Sequence, residues 1–152
     1  MVSWSEFVAA EPEFAYRVHE VFEVRKHKTV ATLRRDGAPR ISGIETRFED
    51  GQLWVGMMPD SVKAADLRRD PRLALHSPTV DPPQDDPSSW AGEAKISGRG
   101  IEAPASEAGG EPSDRFRIEL EEVVLTYVGR PADHLVIESW SPGGGLRRRE
   151  RR

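Results

Sequence analysis

TVATLRRDGAPRISGIETRFEDGQLWVGMMPDSVKAADLRRDP, residues 29–71, decides how this chain is read. Gly37 and Pro39 punctuate a turn between two strand-like runs, and Asp50-Gly51 is a strong hairpin signal before an apolar run. The stretch therefore reads as strand, tight turn, strand, hairpin, strand, then a short helix opened by Ser61. The third strand, Leu53-Trp54-Val55-Gly56-Met57-Met58, is apolar on both faces, which places it centrally or under cover on both sides. A helix that follows a strand and carries Ser61 and Lys63 in its first turn offers a place for a phosphate. Free N–H groups, the positive end of the helix dipole, a hydroxyl and an ammonium converge there. Taken alone, Ser61 reads as an ordinary N-cap.

Working outward, residues 3–23 read as helical. Ser3 and Glu6 have capping-box spacing, Glu11-Pro12 restarts the helix, and Phe14, Val18, Val21 and Phe22 share one face. Strands are expected at 28–35, 40–49, 52–58, 72–78, 90–102, 118–128 and 135–140, with a helix at 61–69. Residues 79–90, with three prolines and three acids, form an exposed loop, and Pro104–Phe116 reads as a short, weak helix. The pattern is mainly β with flanking helices: six to seven strands and two or three helices, a small β-barrel with helices at its rim. Residues 1–142 form one domain, and 143–152 read as a Gly/Arg-rich C-terminal tail beyond a glycine hinge.

A chain of 152 residues is long enough for one domain with a real core. Zero Cys excludes disulfides, thiolate metal sites and a Cys nucleophile. No run approaches a membrane span and no basic-then-apolar leader opens the chain, so a cytoplasmic protein with no membrane partner is expected. A net charge of −4 argues against nonspecific nucleic-acid binding, and no nucleic-acid partner is expected. The four histidines are scattered without ligand spacing, so no metal site is expected. No Gly-x-Ser-x-Gly elbow is present, and no catalytic side chain is assigned.

The ordered set Asp36-Gly37-x-Pro39, Asp50-Gly51 before an apolar strand, Ser61-x-Lys63-x-x-x-Leu67-x-x-Asp70-Pro71 and a further apolar strand resembles the pyridoxamine 5'-phosphate oxidase-like split-barrel family. Ser139-Trp140-Ser141-Pro142-Gly143 resembles the end of many bacterial members. The resemblance implies a split β-barrel, a homodimer with a cofactor at the subunit interface, and redox chemistry on a small-molecule substrate. FMN is the expected cofactor, F420 the alternative, and haem, with His76 as axial ligand, the least expected. The ring carries the chemistry and the protein binds and orients it.

Residue by residue, Ser61 and Lys63 match the family's phosphate contacts, whereas Val62 stands where arginine is frequent. The family's phosphate-binding arginine falls on Ser42, and the basic residue five positions later is kept as Arg47. These two departures weaken the case for FMN. Gly43 would let a ring approach the backbone, and Met57 and Met58 end strand three beside it, with alternation allowing only one of the two to face a ligand. Trp140, with the arginines from Arg147 to Arg149, would close over the cofactor from a partner subunit. Such a cluster also suits the acidic tail of F420. The rival reading is a non-catalytic cofactor- or haem-binding barrel.

Overall fold

The computed structural model describes residues 1–106 and 111–152. The strands are β1 (His27–Leu33), β2 (Pro39–Glu49), β3 (Gln52–Met57), β4 (Arg72–His76), β5 (Glu93–Ser106) and β6 (Ser113–Val128), followed by β7 (Leu135–Ser141) and β8 (Gly145–Arg151). All pair antiparallel in the order β3-β2-β1-β4-β5-β6-β7-β8, and β3 pairs back onto β6. Six strands thus close a barrel and two continue the sheet outside it. Closure gives β3 a partner on each side, and among the described residues β8 stands at the end of the strand order.

Helices α1 (Trp4–Ala10) and α2 (Pro12–Glu23) cover the barrel. The capping box forms as its spacing predicts: the Ser3 backbone N–H donates to Glu6 at 3.0 Å, and the Glu6 N–H donates to the Ser3 hydroxyl at 3.2 Å. Phe7, Phe14, Val18 and Phe22 are buried against Leu53, Phe116, Ile118 and Leu120 of the barrel lining. Among the described residues no helix is long and apolar enough to cross a membrane.

Three segments differ from the sequence reading. The weak helix expected at 104–116 is not formed: residues through Ser106 belong to β5 and those from Ser113 to β6, while 107–110 lie outside the described residues. Pairs such as Ile101↔Arg117 and Ala103↔Arg115 satisfy that backbone, and tertiary pairing overrides a weak local helical preference. The tail expected from 143 is instead a hairpin, with Gly145 at φ +65° turning β7 into β8. β3 is not covered on both faces: Leu53, Val55 and Met57 are buried, whereas Gly56 and Met58 face outward.

The third helix, α3 (Val62–Arg69), is tied to both sides of the barrel mouth. Asp66 is 2% exposed and accepts hydrogen bonds from Arg40 Nε at 2.7 Å, Thr32 Oγ1 at 2.8 Å and Arg69 at 2.8 Å. Arg68 reaches Glu102 of β5 at 2.7 Å and Asp114 of β6 at 3.0 Å. Burial pushes the Asp66 carboxyl up, but the hydrogen bonds from Arg40, Thr32 and Arg69 together hold it below its ordinary value. A depressed native pKa contributes stability that is full above the unfolded carboxylate's pKa of about 4 and is lost as pH falls through the native value. Asp66→Asn is expected to cost about 3 kcal/mol at neutral pH, read by urea unfolding, and to flatten the acid limb of the stability curve.

Candidate functional site

The outer faces of β2, β3 and β6 form a groove of about 630 Å³. Alternation along β2 turns Gly43, Glu45, Arg47 and Glu49 outward and Ser42, Ile44 and Thr46 toward the barrel. The register sets Glu45 opposite Gly56, Arg47 opposite Trp54, and Gly56 opposite Arg115. A Cβ placed on Gly43 or on Gly56 would meet nothing within 4 Å, so the missing side chains bare two neighbouring stretches of backbone. The bared floor fits a flat ring system.

One wall is a stack. The Arg115 guanidinium carbon lies 4.5 Å from the centre of the Trp54 ring, and Arg115 Nε donates to the Pro104 carbonyl at 3.1 Å. The cation–π contact and the hydrogen bond hold both side chains in place. Lys63, on the first turn of α3, lines the groove and has no ion pair among the described residues. The approach of α3 is set by the loop before it, where the Asp60 N–H donates to Asp114 at 3.0 Å. Arg47, Lys63 and Arg115 are offset by Glu45, Glu49 and Glu111, so the groove has no strong net field. An anion there would depend on local contact with Lys63.

Of the residues singled out from sequence, Gly43, Arg47, Met57, Met58 and Lys63 meet around this groove. Met58 is the methionine that faces it, at 80% exposed; the Met57 side chain is 6% exposed and joins the core. The other four lie elsewhere. Ser42 points toward the barrel. The Ser61 hydroxyl accepts the Ala64 N–H at 3.3 Å as the N-cap of α3. Trp140 is 5% exposed with its ring centre 4.8 Å from that of Phe7, a core position and not that of a lid. Arg147 stands on β8, outside the six-stranded closure. His76 is held by the Ser77 carbonyl at 2.6 Å and lies 3.6 Å from Glu93, both of its ring nitrogens facing protein oxygens.

Trp54, Gly56 and Arg115 were not singled out as site residues from the sequence. Counting back in twos from Met58 reaches Gly56 and Trp54, so that signal was available. Arg115 reaches the groove only because β3 closes onto β6. A second concavity of about 580 Å³ lies on the outer wall over β1, β4, β5 and β6, with Thr29, Ala31, Ala74 and Val124 in it and Ile41 75% exposed at its edge.

A closed six-stranded barrel with two strands outside it, rim helices and a groove on its wall is the split-barrel fold of pyridoxamine 5'-phosphate oxidase-like structures. Neither a family model nor a curated protein matches the sequence. Among solved structures, PhzG of Burkholderia lata, in complex with tetrahydrophenazine-1-carboxylic acid, has a TM-score of 0.63 at 11% identity, covering 95% of this chain and 91% of that one. A pyridoxamine 5'-phosphate oxidase-related, FMN-binding protein of Nostoc punctiforme has a TM-score of 0.61 at 11% identity, covering 93% and 96%. A Clostridium acetobutylicum protein related to general stress protein 26 has a TM-score of 0.62 at 12% identity, covering 88% and 97%. At such identities the likeness is one of fold.

Because both glycine sites are open and neither has positive φ, side chains there should be accepted. Gly43→Ala and Gly56→Val are expected to leave thermal stability unchanged or raised by up to about 1 kcal/mol, checked by melting curves.

Proposed function

We propose that the groove binds the ring of FMN and that the protein is an oxidoreductase of the pyridoxamine 5'-phosphate oxidase-like class acting on a small molecule. The observation that carries this reading is the backbone bared at Gly43 and Gly56 beside Lys63. It is supported by a fold shared with an FMN-binding protein. Lys63 would neutralise phosphate charge, Met58 and Trp54 would pack on the ring, and Arg47 would sit at its margin. A bound flavin supplies electron or hydride transfer; the chain binds it, orients it and limits access of water.

F420 is the second reading. Ser42 turns inward and Val62 carries no charge, which leaves Lys63 as the one cation of the expected phosphate set. The argument for F420 from the C-terminal arginines is weaker within one chain, because those residues stand on β8. We also propose a homodimer. Ile41 lies two residues from Gly43 on the same face of β2, so the small-residue wall over β1 and β4 adjoins the groove. A second copy on that wall would border the cofactor.

Parallel titrations of the purified protein with FMN and F420, followed by visible absorbance, test the assignment. FMN is expected to saturate at low micromolar concentration or below. Lys63→Ala should weaken it about tenfold, and Gly56→Val should remove measurable binding with the melting temperature kept. F420 binding without FMN binding favours the second reading, and binding of neither sinks both. A bound flavin that no nicotinamide donor reduces would point to a carrier.

A further inference from the structure

We propose that β8 is a docking edge for an extended acidic peptide, which adds to the sheet as a ninth strand. β8 pairs with β7 along one side only, and all seven of its residues are exposed. Its other side presents backbone N–H and C=O groups with no strand partner among the described residues, the arrangement that an incoming strand completes.

The side chains say what kind of strand. Arg147, Arg149 and Arg151 alternate onto one face of β8 and make no ion pair among the described residues. The opposite face is already balanced: Arg148 pairs with Glu150 at 2.9 Å. Beyond the strand, Arg152 pairs with Asp133 at 3.1 Å. Five of the chain's 22 basic residues, but one of its 26 acidic ones, fall in Arg147–Arg152, on a chain that is acidic as a whole.

Same-face residues of a strand repeat about every 6.7 Å, and side chains directly opposite across a sheet lie about 5 Å apart. A strand with Asp or Glu at every second position would therefore set a carboxylate against each guanidinium. Next to the arginines on β7 stand Ser139, Ile137 and Leu135, opposite Arg147, Arg149 and Arg151. That strip offers small and aliphatic contacts. It lacks the aromatic platforms on which the bases of a single-stranded nucleic acid commonly stack. The one aromatic residue of β7 and β8, Trp140, is buried. Charge on an edge strand also discourages edge-to-edge aggregation, but that role does not require one face neutralised and the other left unpaired.

The test is independent of the cofactor groove. A fluorescein-labelled peptide matching the seven residues of β8, with Glu and Thr alternating, is titrated with the full chain and followed by anisotropy. An isomer with its Glu residues in one block and an oligothymidine serve as competitors. The alternating peptide is expected to bind about fivefold tighter than the block isomer, and to slow hydrogen exchange of the 145–151 amides. Replacing Arg147, Arg149 and Arg151 together by Ser should weaken it about tenfold, whereas Arg148→Ser with Arg152→Ser should change it less than about twofold. Equal affinity for the two isomers, unprotected β8 amides, or tighter binding of oligothymidine would each overturn the proposal.

Discussion

The pairing of β3 with β6 is the constraint on which the rest depends. It turns a meander into a barrel and buries Val55 and Leu53 against Phe116 and Ile118. It also brings Arg115 over Trp54, from positions far apart in the chain. An open sheet would leave Gly56 on a free edge; closure makes it a gap in a continuous wall. The groove is thus a product of barrel topology, since its floor comes from strands adjacent in sequence and its side from one that is not.

The helix that carries Lys63 is weakly amphipathic and only eight residues long, so propensity alone would not hold it in place. Two polar anchors do. Asp66 is sunk among Arg40, Thr32 and Arg69, and Arg68 spans Glu102 and Asp114. The buried carboxylate is tolerable because each of its oxygens is met by a donor. Thr32 of β1 and Arg40 of β2 both donate to Asp66, so the middle of α3 is fixed relative to those two strands.

Much of the local structure is legible in the sequence. Asp50-Gly51 forms the β2–β3 hairpin with both residues at positive φ, and Ser3 and Glu6 form the capping box. These features depend on neighbours within a few residues. Pro104–Phe116 and the C-terminal segment misled because their conformation depends on distant partners, β6 for one and β7 for the other. Trp140 shows the same limit at the level of a single residue: a Trp before a glycine turn reads as a lid, but Phe7 of α1 covers it.

The sequence by itself determined most of the strands up to β7, the Asp50-Gly51 turn, the first cap and the choice of Gly43 and Lys63 as candidates, because each is set by short-range geometry and side-chain type. Only the tertiary structure decided which face of β2 and β3 each candidate occupies. It also set Arg115 over Trp54 beside them, Trp140 in the core and Arg147 on β8. Period-two alternation says that neighbours point opposite ways; only a closed barrel says which way is out.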